Sequence, residues 1–380
     1  MTIAFNCWVL RNKNIDGIGN VVIETLRPMI KAHPEVKFLL LCDKNFTEDY
    51  FDFPNAIIHR IFPPYRHPAL YVFYLELILP AFLKKYKPDI FIGMDGMISL
   101  QSTSKQISVI HDLNFEHYPK TLPLRNRLYY RFFYKKFSRK ADRIVTVSEF
   151  TKNDIVNLYH IAPSKINVIS LGAKEVFKPL PLYDISATRN KYTGGAPYFF
   201  FVGSMHARKN IQRLMQAFEL FKQKNNSTIK LIIAGNILWE ADEIKSVYNQ
   251  LSFKTDIIFT GRIDDKELSY LLGAAFALTF IPLFEGFGLP IVEAFQAGVA
   301  VICSNTSSMP EVAGDAALLV DPFSIAEIAS AMKKITEDEE LRKRLIQKGL
   351  NRKNIYDWNR TANMLYEAIH KTITAKQSHL

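Results

Sequence analysis

The chain has 380 residues, of which 48% are hydrophobic and 22% charged, with a formal net charge of +11. That length favours two domains over one, and the apolar content fills two cores, which sets aside chains built without a packed interior. The positive balance suits anionic partners (nucleotide phosphates, nucleic acid, an acidic membrane face) and suits plain solubility as well, so charge alone does not choose among them.

The N-terminal MTIAFNCWVL has no basic leader and no small-residue cleavage site, so it reads as a strand rather than a signal peptide. Seven short apolar, β-branched runs follow one another: Thr2–Trp8, Val36–Cys42, Ala56–Phe62, Asp89–Met94, Gln106–His111, Arg143–Val147 and Asn167–Leu171. Such runs suit strands buried on both faces, and helical stretches at Asn20–Lys31 and Phe150–Leu158 fit between them. This is the βαβ rhythm of a doubly wound parallel sheet. Leu70–Leu83 is the longest apolar stretch. It carries Glu76 and Pro80 and falls short of the roughly 20 residues of a bilayer span, so it reads as a core helix. Cys7, Cys42 and Cys303 each lie in or beside a strand run and show no ligand spacing. Buried free thiols in a reducing, cytoplasmic setting are the simplest account, and a structural zinc is not expected.

Gly172–Pro197 interrupts the rhythm with Pro179, Pro181, Gly194, Gly195 and Pro197. The expected organisation is a first domain of residues 1–175 completed by a C-terminal helix within 357–380. A linker at 176–197 and a second domain at 198–356 make up the rest. The second set of strands is Tyr198–Val202, Ile229–Ala234, Ile257–Thr260, Phe276–Ile281, Val299–Cys303 and Ala317–Val320. Helices are expected at Ile211–Lys222, Glu267–Gly273 and Asp357–Thr374, the last packing back on the first domain. Two α/β units joined by such a segment imply a cleft between them, a frequent place for ligands.

Five strings could carry chemistry. GIGN, Gly17–Asn20, has Gly-x-Gly before a helix but no third glycine, which is weak as a dinucleotide fingerprint. SVIHDLNF sets His111 at the C-terminal end of a strand, where open α/β sheets bind ligands; a packed or solvated histidine is an equal reading. From Arg127 a basic residue recurs at Arg131, Lys135, Arg139 and Arg143, beside Tyr129, Phe133 and Phe137. An aromatic core face with a solvated basic face is the preferred reading, with contact to an anionic membrane or lipid diphosphate as the other. GSMHARKN places Arg208, Lys209 and Asn210 at a helix start, either as a diphosphate site or as a solvated basic loop. FEGFGLPIVEA holds Glu285 and Glu293 around a Gly-Phe-Gly-Leu-Pro turn that opens a helix. Backbone N–H groups there suit phosphate, and carboxylates suit hydroxyls, so the string suits a sugar on a diphosphate. No Asp-x-Asp, Walker A or Gly-x-Ser-x-Gly pattern occurs.

Together, GIGN, SVIHDLNFEHYP, ADRIVTVSEFT, FFFVGSMHARKN, FTGRIDDKELSYLLGAA, FEGFGLPIVEA and SSMPEVAGDAALLVDP resemble, in order, the retaining glycosyltransferases of family four. The resemblance spans nearly the whole chain, and the HDLNFEHYP region is most similar to bacterial mannosyltransferases. It implies the GT-B architecture, two Rossmann-like doubly wound domains facing a central cleft. It also implies a nucleotide diphosphate sugar donor, a glycan or lipid-linked glycan acceptor and no nucleic-acid partner. No cofactor is implied, and catalysis would be metal-independent.

By the same resemblance Glu285 would contact donor-sugar hydroxyls and Glu293 the ribose. The amides of Gly286, Phe287, Gly288 and Leu289 would bind sugar and diphosphate. Lys209 would hold the diphosphate with Arg208 beside it, and Ile263 would meet the base through its main chain. Gly19 would approach the phosphates and His111 would lie near the sugar. Many members carry arginine directly after the glycine that ends the second domain's first strand; here Ser204 stands there. Either Arg208 reaches in, or one cation and a hydroxyl suffice. A non-catalytic sugar-nucleotide binder, a UDP-sugar donor and a Rossmann oxidoreductase are the competing readings, the last disfavoured by the incomplete glycine fingerprint.

Overall fold

The computed structural model describes residues 1–10, 15, 17–43, 46, 50–61, 68–235 and 242–375. The chain divides into two compact units, Met1–Leu171 with Asp357–Leu380, and Gly172–Tyr356.

The first unit runs β1 (Thr2–Asn6), α1 (Gly17–Ala32), β2 (Lys37–Asp43), β3 (Ala56–Ile61), α2 (Pro68–Phe73), α3 (Leu79–Tyr86), β4 (Ile90–Gly93) and β5 (Gln106–Ile110). It continues with α4 (Asn114–His117), α5 (Leu124–Lys140), β6 (Arg143–Thr146), α6 (Glu149–Tyr159) and β7 (Ile166–Val168). The seven strands form one parallel sheet in the order β3-β2-β1-β4-β5-β6-β7. Successive side chains of a strand point to opposite faces. Thus Ile3, Phe5, Phe38 and Leu40 pack with Leu26 and Ile30 of α1, while Ala4, Leu39 and Phe91 pack with Leu79, Phe137 and Ile155 on the other side. Each expected strand coincides with an observed one, although Phe62 lies outside the described residues. The apolar stretch around Leu70 is helical but not wholly core. Phe73 and Leu77 are exposed, and a π turn over Tyr74–Ile78 joins α2 to α3. Pro80 explains the turn, because it has no N–H and its ring crowds the carbonyl four residues back.

The second unit runs α7 (Leu182–Thr193), β8 (Tyr198–Val202), α8 (Ile211–Asn225), β9 (Lys230–Ala234), α9 (Asp242–Gln250), β10 (Ile257–Gly261), α10 (Asp265–Gly273) and β11 (Ala277–Phe280). Then come α11 (Leu289–Ala297), β12 (Ala300–Ser304), α12 (Met309–Ala313), β13 (Leu318–Val320), α13 (Ile325–Glu337) and α14 (Glu339–Arg352). Its six strands are again parallel, in the order β10-β9-β8-β11-β12-β13. The segment 176–197, read from sequence as a linker, contains α7. Pro181 and Gly194 are the caps of that helix, with Gly194 left-handed at φ 66°. The last helix, α15 (Trp358–Thr374), belongs to the first unit; its Ala362, Leu365 and Ile369 join the core built on α1. Cys7, Cys42 and Cys303 are buried free thiols.

Strand order fixes where a ligand can sit. In each unit the order reverses beside one strand, β1 in the first and β8 in the second. A crevice opens there beyond the C-terminal strand ends. In the second unit the crevice lies between the segments leaving β8 and β11. Gly203 and Gly235 end β8 and β9 with φ of 155° and 142°. A β-carbon on Gly235 would stand 2.0 Å from the Gly203 carbonyl oxygen, so only glycine lets the two backbones pass so closely.

Candidate functional site

Two segments meet at the β8–β11 crevice. After β8 the chain makes a 3₁₀ turn over Ala207–Lys209 and then enters α8. After β11 it runs through Phe284–Gly288 into α11. They are stitched together by the Leu283 amide donating to the Arg208 carbonyl at 2.7 Å. Asn210, left-handed at φ 62°, donates its side-chain amide to Ile281 O at 3.1 Å and Pro322 O at 2.7 Å. A third segment holds the second from below. Ser307 Oγ accepts from the Glu285 amide at 3.2 Å, and Ser308 Oγ donates to Glu285 O at 2.9 Å and Phe287 O at 3.0 Å.

This scaffold brings Arg208, Lys209 and Glu285 together. Arg208 Nη1 lies 2.5 Å from Glu285 Oε1, and Lys209 Nζ contacts the same oxygen. Lys209 is 9% exposed; its stem runs past Gly203, where a β-carbon would sit 3.5 Å from Lys209 Cε. Its ammonium lies 5.1 Å from the centre of the Phe280 ring. Burial alone would push the Glu285 carboxyl up, but the charges and hydrogen bonds of Lys209 and Arg208 outweigh it and hold the group below its ordinary value. Burial and the same two cations push His206 down. Two converging cations thus share one carboxylate, a charge arrangement that an anionic group can enter by taking over part of the pairing.

Beside this triad, Gly286–Leu289 lead into α11. Gly288 is left-handed at φ 100°, and a β-carbon there would lie 2.8 Å from Met309 Cε. Pro290 has no N–H and the Ile291 amide donates to Gly288 O at 3.0 Å, so what this end offers an anion is chiefly the positive end of the helix dipole. Ser204, just beyond Gly203, is exposed.

Glu293, on the second turn of α11, has different surroundings. Its carboxyl is pushed up to about 7 by burial, with Lys174 pulling it down and Asp265 pushing it up. Lys174 Nζ pairs with Asp265 Oδ2 at 2.7 Å. Ile263 is half-buried, one residue before Asp264, whose carboxylate caps α10 by accepting from the Glu267 amide at 2.7 Å. The 263–265 turn therefore lies close to Glu293. Lys174 and Asp265 were not singled out from sequence, because their partner is remote along the chain.

A pH dependence follows for Glu293. Between its ordinary value of 4.5 and about 7 the unfolded chain has released a proton that the folded chain keeps. This group's contribution to stability therefore falls as pH rises through that window and is level above it. Its side chain is still partly open to solvent, so Glu293→Gln is expected to gain about 1–2 kcal/mol near pH 8 and little near pH 4. Thermal melts of the two proteins at both pH values check this, and equal gains at both would show an ordinarily solvated carboxylate.

His111 and Gly19 lie in the first unit. His111 follows β5, half-buried, with Nε2 2.8 Å from Met94 O. Gly19 is buried within the first turn of α1. Next to the β1 switch point, Asn6 Nδ2 donates to Asp95 Oδ1 at 3.1 Å, and Tyr134 Oη donates to Asp95 O at 2.6 Å. On the aromatic side of the basic stripe Tyr129 and Phe137 are buried, and Phe133 packs partly buried against the same core. Arg143 leaves the stripe for β6, where it donates to Asn167 Oδ1 at 2.7 Å. Among the described residues no helix is long and apolar enough to cross a membrane. No group of three or more His, Cys, Asp or Glu among them is placed to hold a metal ion.

Two family models match the chain, Glycosyltransferase Family 4 over residues 15–174 and Glycosyl transferases group 1 over residues 185–352. O-antigen chain mannosyltransferase B of Escherichia coli is 29% identical over 280 residues, 73% of this chain and 72% of that protein. The serotype-specific mannosyltransferase WbdA of Escherichia coli is 26% identical over 72% of this chain, which spans only 34% of its length. Among solved structures, the sucrose-phosphate synthase of Thermosynechococcus elongatus superposes with a TM-score of 0.79 at 18% identity, over 99% of this chain and 100% of that one.

Proposed function

The chain belongs to the family four glycosyltransferases, with the GT-B fold, and on that premise we propose that it transfers mannose from GDP-mannose, with retention, to a growing cell-surface glycan. The observation that carries the reading is the convergence of Lys209 and Arg208 on Glu285 at the β8–β11 switch point, beside the N-terminal end of α11. The mannosyltransferase relatives support the choice of sugar.

In this reading the donor diphosphate displaces part of the Glu285 pairing and takes Lys209 and Arg208 as its counter-charges. Amides at Gly286–Leu289 receive its oxygens, Glu285 turns to the sugar hydroxyls, and Glu293 holds the ribose. Ile263 meets the base. Arg208 supplies the cation that Ser204 cannot, since it already reaches the same carboxylate as Lys209. The acceptor hydroxyl attacks the anomeric carbon on the face the diphosphate leaves. The C–O bond to the diphosphate breaks, the bond to the acceptor forms, and a diphosphate oxygen takes the acceptor's proton. The protein contributes by stabilising charge on the leaving group rather than by a covalent nucleophile. Three buried free thiols suit a reducing, cytoplasmic setting.

A panel of nucleotide sugars, scored for thermal stabilisation and for release of nucleoside diphosphate, tests the assignment. GDP-mannose is expected to give the largest stabilisation and a slow release of GDP without acceptor. Preference for a UDP-sugar would replace the donor; binding without release under any acceptor would leave a binding protein; no binding at all would end the reading.

A further inference from the structure

We propose that the seam between α7 and α10 binds a neutral glycan, at a site separate from the donor site. The two helices lie side by side in the second unit, and Arg189 Nε of α7 donates at 2.9 Å to Ala274 O, just past the end of α10. Such a seam is ordinarily closed by apolar side chains. Here Asp184, Thr188 and Tyr192 of α7 face Asp264, Lys266 and Tyr270, and a cavity of about 440 Å³ remains between them. That volume falls within the ~300–1,000 Å³ of ligand pockets. Asp184, Thr188 and Tyr192 recur every fourth residue, so they share one side of their helix. Thr188 is 7% exposed and lines the cavity, yet its hydroxyl has no hydrogen-bond partner among the described residues. Nor have the Asp184 carboxylate, the Lys266 ammonium and the Tyr270 hydroxyl. Glu267 is already engaged, by Lys191 Nζ at 3.1 Å and by the Tyr192 hydroxyl, and one Asp264 oxygen caps α10.

The groups left over decide the class of ligand. Two carboxylates accept, an ammonium and two hydroxyls donate, and the rings of Tyr192 and Tyr270 offer flat apolar faces. A sugar chain answers all three. Its hydroxyls donate to Asp184 and Asp264 with charge-assisted strength and accept from Lys266 and Thr188, while its C–H faces lie against the rings. A buried hydroxyl such as that of Thr188, costly when left alone, gains a partner in the exchange. A phosphate group would meet two carboxylates with only Lys266 to answer them. Held on this unit between additions, a growing glycan keeps a raised effective concentration for the next transfer. That use rests on the glycosyltransferase reading above; the binding itself does not.

Saturation-transfer NMR titrations of the full chain, without nucleotide, test this with tetrasaccharides of α-linked mannose, α-linked glucose and β-linked galactose. At least one of them should bind with a Kd of about a millimolar. Tyr270→Ala, which removes a ring face and a hydroxyl, should raise that Kd at least about tenfold. Should that variant fail to fold, Asp184→Asn serves instead, on a half-buried side chain, with a loss of about tenfold. Donor hydrolysis should be unchanged in both variants. Binding of none of the three sugars overturns the proposal, as does equal binding by parent and variants, which would seat the glycan elsewhere. Tighter binding of an anionic chain such as tetragalacturonate overturns the neutral class, and a loss of donor hydrolysis in step with sugar binding would fold the cavity into the donor site. No sugar nucleotide enters the titration, so a wrong donor assignment leaves its result standing.

Discussion

Lys209→Ala is expected to lower turnover by about a hundredfold or more, because it removes the buried cation that, in the proposed mechanism, meets the leaving diphosphate. Removing one preorganised donor from a developing anion costs about 3 kcal/mol in the barrier, and each ~1.4 kcal/mol is a factor of ten. The variant should still fold, since Glu285 keeps Arg208 at 2.5 Å. The loss should fall mainly on kcat rather than on donor KM, because charge on the diphosphate grows only as the bond breaks. Steady-state rates with saturating donor check this. Near-normal turnover would remove Lys209 from the chemistry and with it the mechanism proposed above.

The second large effect concerns the free protein. Glu285→Gln leaves Lys209 and Arg208 converging on an amide that carries no charge. Breaking a buried pair by removing one partner costs about 3–5 kcal/mol when both ends are dry. The side chains here retain 11–19% exposure, so a loss of about 2–4 kcal/mol is expected. The distinguishing mark is rescue. A nucleoside diphosphate supplies the missing anion, so GDP should raise the variant's melting temperature by more than it raises the parent's. Equal shifts in the two proteins would mean that Glu285 is not the counter-ion holding the cations.

Much of this was legible in the chain before folding, and the exceptions have physical causes. The strands were readable because parallel strands covered on both faces need continuous apolar runs such as FLLLC and KLIIA. The Arg208, Lys209 and Glu285 strings were readable as chemistry, but not that they share one oxygen; that depends on two loops meeting at a switch point. The helix at Leu182–Thr193 was hidden because its few apolar residues form no helical stripe, Leu182 and Tyr183 being exposed, and its caps, proline and glycine, are also the marks of a linker. On α5 the aromatic face was readable and the exposed row was not. Leu124, Leu128 and Phe132 fit a core stripe equally well until the packing shows which side is covered. The Lys174–Asp265–Glu293 cluster left no local trace, as its members lie on three separate segments.

The stitching of the two charged segments bears on how such a protein can change. Leu283 is fastened to Arg208, Asn210 to Ile281, and Ser307 and Ser308 to the loop of Glu285, so the charges ride on one rigid block. Ser204 and Ile263 stand outside that knot. In the proposed reading Ile263 meets the base and Ser204 stands near the donor, so substitutions there are expected to alter which base or sugar is accepted while the block keeps its geometry. In that reading, inheritance of the reaction and drift of its substrate fall on different parts of the chain.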